Sequence, residues 1–478
     1  MNSKPSRRKQ TKIVATISDR KCDIPFIQGL VYRGVDVFRI NTAHQTPDIT
    51  AKVVENIRAV SKLAGILIDT KGPEVRTRDI EESVVVEVGE EVSFSGQILE
   101  GKNIPVSYEN FVRDVPEGAR ILIDDGEVGF TVERKEADRL ICVAGNAGVV
   151  KNRKSVNVPG VHLDLPALTD KDREYVRYAR DNDVDFIAHS FVRNRADIRE
   201  IREILGEAQD SVKIIAKIEN REGVDNAGEI LKDAHGIMVA RGDLGIEIPA
   251  EEVPAIQKSL IRLCVSRAKT VITATQMLHS MIDNPRPTRA EVSDVANAVL
   301  DGTDALMLSG ESAYGNYPFE AVETMTRVAL ATEASRQDNL GYKSKDETPS
   351  VRSFLARSAI EASHAIPVRA LIVHTYSGKT ARVVSSYRGR IPVYVKCHDI
   401  NVARELTLSY GLYPTLIDLP DSTDKLISTA LSSLVERKLL DKADMVVILA
   451  GSPPHRSNQS NLIEINTVQN CLAGRKSE

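Results

Sequence analysis

Eight short apolar runs, each ending in polar residues, recur through the first two thirds of the chain and restrict the folds open to it. Helical patterns separate most of them, for example at 170–182 before the fourth run and at 197–205 after it. Strands alternating with helices in units of about 25–35 residues predict a parallel sheet, and eight such strands predict a (β/α)8 TIM barrel. The runs are 12–17, 37–41, 65–70, 186–191, 213–219, 236–243, 270–275 and 304–310.

Two further regions interrupt or follow this pattern. Between the third and fourth runs, the stretches 84–94, 119–123, 128–133 and 140–143 alternate or are β-branched, with Gly and Asp turns between them. They predict a small β-barrel domain at 77–160, inserted into a catalytic barrel made of 1–76 and 161–340. A polar linker at 341–349 precedes new apolar strands at 370–374, 392–396 and 445–450. These strands predict a C-terminal doubly wound α/β domain at 350–478, so the whole chain is expected to be of the α/β class.

Composition excludes several kinds of protein. Lys+Arg 63 against Asp+Glu 67 gives a net charge of -4, which does not indicate a nucleic-acid partner. The five cysteines are scattered without a CxxC pair, as is typical of reduced thiols in a cytosolic protein. No apolar stretch is long enough to span a bilayer, so we expect no membrane partner and a cytoplasmic location.

Charged residues converge at the predicted carboxyl ends of the barrel strands, where barrel enzymes carry their active sites. Glu219 and Asp243, on successive strands, suit a hard divalent cation completed by substrate oxygens. Lys217 is two residues from Glu219 and therefore on the same strand face. A lysine beside a metal ion can neutralise a migrating phosphoryl group, so the pattern favours phosphate chemistry. Any one of these residues alone is more often part of a surface ion pair, and the segment after Arg241 could be a simple turn.

Longer motifs identify a family. Nearly the whole chain, including the inserted and C-terminal regions, resembles pyruvate kinase. The matching segments are IDTKGPEVRT (68–77), IAKIEN (215–220), IMVARGDLGIEIP (237–249), ITATQML (272–278), NPRPTRAE (284–291), DVANAVLDG (294–302) and LSGES (308–312).

The resemblance implies transfer of the phosphoryl group of phosphoenolpyruvate to ADP, giving pyruvate and ATP in glycolysis. It also implies a role for each matching residue. Lys217 would stabilise the transferring group, Arg39 would contact the phosphate, and Glu219 and Asp243 would hold Mg2+ or Mn2+. The backbone of Gly242 and Asp243, with Thr275, would hold the substrate carboxylate, and Thr275 would lie near the site of enolate protonation.

Two further ligand sets follow from the same resemblance. Asn41, His44, Arg76 and Lys154 would bind the nucleotide, and Asn41, Asp69 and Thr70 would bind a monovalent cation, K+. Ala43 stands where the family has a hydroxyl ligand to that cation, so we expect K+ binding to be weaker or to be completed by water or Thr42. Glu74 is the acid typical of K+-dependent members, which keeps K+ dependence as the expectation.

The resemblance implies that this chain forms a homotetramer. A loop in the C-terminal region resembles the one that cradles a sugar-phosphate effector in regulated members. Its matching residues are Thr375, Ser377, Gly378, Lys379 and Thr380. Backbone N–H groups and hydroxyls at such a turn suit a phosphate, although a plain helix N-cap explains the same residues equally well. The second half of that site, 451–456, lacks the tryptophan of fructose-bisphosphate-responsive relatives, so the effector, whether a sugar phosphate or a nucleotide, stays open.

Two other functions compete with an active kinase. Ala43 and Ser18-Asp19, which replaces a usual Gly-Pro, would suit a catalytically impaired relative that acts as a metabolite-binding regulatory subunit. Another Mg2+-dependent barrel enzyme, such as a carbon–carbon lyase, would not need the inserted domain or the motif from Lys71 to Glu74.

Overall fold

The computed structural model describes residues 8–336, 350–418, 422–451 and 460–473, apart from the side chain of His44. The strands, in chain order, are β1 (Lys12–Ile17), β2 (Val37–Asn41), β3 (Gly65–Asp69), β4 (Val84–Val86), β5 (Glu91–Ser95), β6 (Asn103–Pro105), β7 (Arg120–Ile123), β8 (Val128–Lys135), β9 (Leu140–Ala144), β10 (Gly148–Val150), β11 (Val156–Asn157), β12 (Phe186–His189), β13 (Lys213–Ile218), β14 (Gly236–Ala240), β15 (Thr270–Ala274), β16 (Ala305–Leu308), β17 (Val368–His374), β18 (Val393–Cys397), β19 (Leu412–Leu416), β20 (Met445–Ala450) and β21 (Leu462–Thr467).

The helices are α1 (Ile24–Arg33), α2 (Pro47–Val60), α3 (Phe111–Asp114), α4 (Asp170–Asp181), α5 (Arg195–Leu205), α6 (Arg221–Asp225), α7 (Ala227–Asp233), α8 (Arg241–Glu247), α9 (Val253–Ser266), α10 (Arg289–Asp301), α11 (Gly310–Ala313), α12 (Pro318–Ser335), α13 (Val351–Ala365), α14 (Lys379–Ser386), α15 (Ile400–Leu406), α16 (Thr423–Glu436) and α17 (Val468–Ala473). Short 3-10 turns occupy Thr42–His44, Gly206–Asp210 and His279–Ile282.

Eight parallel strands close into the predicted barrel, in the order β1-β16-β15-β14-β13-β12-β3-β2. Side chains alternate along each strand between the barrel interior and the helix layer. On β1, Val14 belongs to the interior cluster, whereas Ile13 and Ala15 belong to the larger core under the helices. The barrel is therefore a solid core, and the carboxyl ends of its strands are free to carry chemistry.

Strand lengths differ from the prediction where the site begins. The runs at 236–243 and 304–310 were expected to be strands throughout, but β14 ends at Ala240 and β16 at Leu308. Arg241 instead opens helix α8, and Gly310 opens helix α11. Both runs end in polar residues, Arg241-Gly242-Asp243 and Ser309-Gly310, and so short a polar segment does not show by itself whether the strand continues or a helix begins.

The insertion after β3 forms its own β structure. Strands β11-β7-β8-β9-β5-β6 make one sheet, and β10 pairs with β4 in a second. Both sheets contribute to one apolar core, with Phe94, Phe111 and Phe130 at its centre. The bounds 77–160 stay a prediction.

The C-terminal sheet has the order β19-β18-β17-β20-β21, in which only β21 is antiparallel. The chain winds outward from β17 to β19 and then returns to β20 on the other side of β17. Ligands in such doubly wound sheets bind at the carboxyl ends of the strands where the order reverses, which here is the loop after β17. The linker at 341–349 lies outside the described residues, and the bounds 350–478 stay a prediction.

None of the helices in the described ranges is both long and apolar enough to cross a membrane.

Candidate active site

Lys217, near the carboxyl end of β13, is surrounded by polar groups at the ends of β3, β12 and β13 itself. Its Nζ lies 3.1 Å from Asp69 Oδ1 and 3.0 Å from Glu219 Oε1, and it donates a hydrogen bond of 2.7 Å to Ser190 Oγ. Burial by itself lowers the pKa of Lys217, but attraction to Asp69 and Glu219 outweighs it and raises the pKa above its ordinary value. The lysine is therefore a fixed, protonated cation.

Asp69, at the end of β3, joins this lysine to Arg39 on β2. Arg39 Nε donates to Asp69 Oδ2 at 2.6 Å, and Arg39 Nη1 donates to Thr16 Oγ1 at 2.9 Å. Burial raises the pKa of Asp69, yet the two cations together lower it below its ordinary value. Two positive groups are thus held side by side, at a spacing set by one buried carboxylate.

The two carboxylate oxygens of Glu219 have different partners. Its Oε2 accepts a hydrogen bond of 2.6 Å from the Phe191 backbone N–H, whereas Oε1 accepts no hydrogen bond from the described residues despite its ion pair with Lys217. Burial raises the pKa of Glu219 to about 7, with Lys217 opposing and Asp243 adding to the rise. A buried carboxylate facing a second carboxylate suits a divalent cation, so the residues present fit the expected metal. Within the described ranges, no cluster of three or more His, Cys, Asp or Glu side chains is arranged to hold a metal.

Thr275 and Gly242 meet where β15 ends and α8 begins. The Gly242 N–H donates to Thr275 Oγ1 at 2.7 Å, and Thr275 Oγ1 donates to the Ala274 carbonyl at 2.6 Å. Thr275 and the following Gln276 both have positive φ, 69° and 53°. The sequence predicts that these two groups act together, and they are neighbours.

The expected nucleotide residues are only partly together. Arg76 Nε donates to Glu74 Oε2 at 2.5 Å, and Arg76 Nη1 donates to the Arg153 carbonyl at 2.8 Å. Lys154 is directed instead to Asp124, with a closest approach of 2.6 Å, while Arg153 lines the cavity beside Arg76. His44 belongs to a 3-10 turn, and its side chain lies outside the described residues.

One cavity of about 410 Å³ is lined by eight of the twelve residues predicted for the active site, whereas Gly242, Thr275 and Lys154 are not among its lining residues. It is lined by Arg39, Asn41, Ala43, Asp69, Thr70, Lys71, Glu74, Arg76, Arg153, Phe191, Lys217, Glu219 and Asp243. The three predicted K+ ligands are among them, and so is the methyl group of Ala43. Thr42, which was expected to replace the hydroxyl ligand missing at Ala43, is buried, and its hydroxyl donates to the Asp69 carbonyl at 2.8 Å.

Two residues that contribute to the site, Ser190 beside Lys217 and Arg153 at the cavity wall, were not predicted as site residues. Ser190 joins Lys217 to β3, since its hydroxyl accepts from Lys217 Nζ and donates to the Thr70 carbonyl at 2.6 Å. Arg153 contributes a cation from the inserted β structure. Position at the end of the fourth apolar run was a signal for Ser190. Arg153, next to Lys154 in a basic turn, could not be distinguished from it by sequence.

The predicted effector loop follows β17. Gly378 has φ 72° and caps α14, Ser377 and Lys379 are exposed, and Thr375 is buried. Thr380 Oγ1 lies 2.8 Å from Ser460 Oγ. Of the second half of the predicted effector site, 452–456 lies outside the described residues.

Comparison with known protein families decides the identity. A family model described as pyruvate kinase, barrel domain, matches residues 8–322, and one described as pyruvate kinase, alpha/beta domain, matches residues 353–466. The chain belongs to the pyruvate kinase family.

Curated relatives agree over nearly the full length. A pyruvate kinase of Borreliella burgdorferi is 47% identical, covering 98% of this chain and 99% of the relative. A pyruvate kinase of Geobacillus stearothermophilus is 43% identical over 98% of this chain and 83% of its own length. A pyruvate kinase of Staphylococcus aureus is 41% identical, covering 97% of this chain and 81% of the relative. The predicted family, the (β/α)8 barrel with its C-terminal α/β domain, and the class of phosphotransferase are confirmed.

Proposed function

We propose that the protein transfers the phosphoryl group of phosphoenolpyruvate to ADP with the help of Mg2+ or Mn2+ and K+, and so acts as a pyruvate kinase in glycolysis. The observation that carries this proposal is the position of Lys217, held by Asp69, Glu219 and Ser190 at the wall of a cavity that also contains Arg39. Such fixed cations stabilise the charge that develops on a transferring phosphoryl group, because they need not reorganise during the reaction.

In this proposal, each group of the candidate site has one task. Lys217 and Arg39 bind the phosphoryl oxygens while the bond between phosphorus and the enol oxygen breaks and a bond to the terminal oxygen of ADP forms. The Thr275 hydroxyl and the backbone of Gly242 and Asp243 orient the substrate carboxylate. The enolate left behind takes up a proton at its methylene carbon, next to Thr275, from water.

Glu219 and Asp243 would hold the divalent cation. The buried Oε1 of Glu219, which accepts no hydrogen bond from the described residues, and the mutual repulsion of the two carboxylates support this assignment. When bound, the cation neutralises negative charge on substrate oxygens. Substrate and water would supply the remaining ligands, as Mg2+ prefers.

K+ would be held by Asn41, Asp69 and Thr70. The nucleotide would be contacted by Asn41, His44, Arg76 and Lys154, and also by Arg153. Because Lys154 is paired with Asp124, its contact with the nucleotide would require that ion pair to open. Membership of the family also supports a cytoplasmic homotetramer regulated at the loop of Thr375, Ser377, Gly378, Lys379 and Thr380, by a sugar phosphate or a nucleotide.

The test is formation of pyruvate from phosphoenolpyruvate and ADP with Mg2+, measured with and without K+. Turnover that rises with K+ would support the proposal in full. Turnover indifferent to K+ would remove the monovalent site only. Binding of phosphoenolpyruvate without turnover would overturn the kinase and favour the regulatory subunit.

A further inference from the structure

The turn that presents Thr275 has an unfavourable backbone. Thr275 has φ 69° and Gln276 has φ 53°, so two successive residues other than glycine occupy the left-handed region. A β-branched residue in this region is a steric outlier, and such a conformation persists only where its surroundings hold it. Contacts outside the turn must therefore keep Thr275 in place.

The guanidinium of Arg241 supplies those contacts. Nη2 donates to the Thr275 carbonyl at 2.8 Å, and Nε donates to the Ala274 carbonyl at 3.3 Å. The same guanidinium forms an ion pair of 2.7 Å with Asp294 on α10, and its side chain is only 12% exposed. The guanidinium of Arg241 therefore joins the strained turn to helix α10 of the outer layer.

A second contact links the backbone next to Arg241 to the side chain of Thr275. Arg241 is the first residue of α8, and the N–H of its neighbour Gly242 donates to the Thr275 hydroxyl at 2.7 Å. The arginine side chain thus holds the threonine backbone, while the backbone after the arginine holds the threonine side chain. Of the two links, only the guanidinium bonds the backbone carbonyls of the turn, so its loss would free the turn to relax towards an ordinary backbone conformation.

We propose that Arg241 is a positioning residue of the reaction, which keeps the Thr275 turn in its left-handed form so that Thr275 and Gly242 face the substrate carboxylate. The role rests on the proposed function of this site. A planar fork that satisfies two carbonyls and one carboxylate is specific to arginine, because a lysine offers a single point charge. The phosphoryl contacts of Arg39 and Lys217 come from other strands and do not depend on this turn.

The test compares Arg241→Lys with Arg262→Lys, a matched substitution at an exposed position of the neighbouring helix α9. For Arg241→Lys we expect kcat/KM for phosphoenolpyruvate to fall by about 10²-fold, as a small misplacement of a positioning group can cause. KM for ADP should stay unchanged. Arg262→Lys should match the parent protein in both constants.

Ligand binding separates positioning from a merely structural role. By calorimetry with Mg2+ and without nucleotide, Arg241→Lys should weaken binding of phosphoenolpyruvate but leave binding of inorganic phosphate, which has no carboxylate, unchanged. Equal loss for both ligands, or no loss for phosphoenolpyruvate, would overturn the proposal.

If Arg241→Lys does not fold, Asp294→Asn keeps the guanidinium but removes its carboxylate partner, and it should show the same selective loss to a smaller degree. Unchanged phosphoenolpyruvate binding in that variant would contradict the proposal. These binding experiments do not require turnover, so failure of the proposed kinase activity would be recognised separately in the parent protein.

Discussion

Asp304, directly before barrel strand β16, and Arg388, after helix α14 of the C-terminal domain, form an ion pair of 2.8 Å in which both side chains are almost completely buried. Asp304 Oδ1 also accepts the Tyr410 backbone N–H at 2.8 Å, and Arg388 Nε donates to the Gly302 carbonyl at 2.9 Å. The buried ion pair of Asp304 and Arg388 therefore contributes to the contact between the barrel and the C-terminal domain.

Breaking this pair should be costly. Arg388→Met leaves Asp304 buried without its cation, and we expect the free energy of unfolding to fall by about 3–5 kcal/mol. Arg357→Met, which removes the exposed pair with Glu361, is the control and should cost about 1 kcal/mol or less. Urea unfolding of both variants is the measurement. Similar losses in the two would contradict a structural role for the buried pair.

Lys217→Met should abolish most of the turnover. The proposed electrostatic stabilisation is lost, and kcat should fall by about 10³-fold, the upper range for one such donor. Binding of Mn2+, followed by electron paramagnetic resonance, should persist because Glu219 and Asp243 remain. Lys213→Met, at the opposite end of the same strand, is the control. A kcat near that of the parent protein would refute the role of Lys217.

Ala43→Ser should strengthen K+ activation. The substitution adds a hydroxyl oxygen to the cavity wall that carries Asn41, Asp69 and Thr70. One extra polar contact is worth about 1 kcal/mol, so the K+ concentration for half-activation should fall by roughly fivefold. Steady-state rates against K+ concentration measure the change, with Na+ as the comparison ion. An unchanged K+ curve would argue against this position as part of the cation site.

His189 should make stability depend on pH. Both of its ring nitrogens are buried and lack hydrogen-bond partners within the described residues. Burial lowers the pKa of His189 from 6.5 to about 4. Between these values the unfolded chain binds a proton that the folded chain does not, so stability falls as the pH drops below 6.5 and stops falling near 4.

His189→Leu removes this dependence. Relative to its effect at pH 7.5, the substitution should stabilise the protein by about 2 kcal/mol at pH 5. Urea unfolding at the two pH values measures it, with His279→Leu at an exposed position as the control. Equal effects of His189→Leu at both pH values would show that the folded protein takes up the proton at an ordinary pKa.

Lys379→Glu should impair regulation without impairing the basal rate. Lys379 is exposed at the start of α14, in a different sheet-and-helix unit from Lys217. Reversing its charge should weaken activation by fructose 1,6-bisphosphate or ribose 5-phosphate by roughly tenfold, about 1.4 kcal/mol. Activation curves at subsaturating phosphoenolpyruvate measure this, and Lys425→Glu on α16 is the control. If both curves match the parent protein, the loop does not bind these phosphates.

Much of the barrel was predictable because it depends on local pattern. Two of the predicted runs, 12–17 and 37–41, coincide with β1 and β2, since apolar β-branched runs are bounded by polar residues on both sides. Helix α10 begins where Thr288 and Glu291 form a capping box, a signal within four residues. Short strands such as β10 and β11 were missed, because two or three residues are too few to show the alternation of apolar and polar residues that is typical of a strand.

The sequence by itself determined the fold class, the family and most residues of the candidate site, because these follow from apolar periodicity and from motifs that are contiguous in the chain. Only the tertiary structure decided which partner each charged side chain takes. Lys154 forms an ion pair with Asp124, Arg153 lines the cavity, and Arg241 donates a hydrogen bond to the Thr275 carbonyl. Such choices depend on the distances between atoms far apart in sequence and on the loss of solvent around them, and neither quantity is expressed in a local pattern of residues.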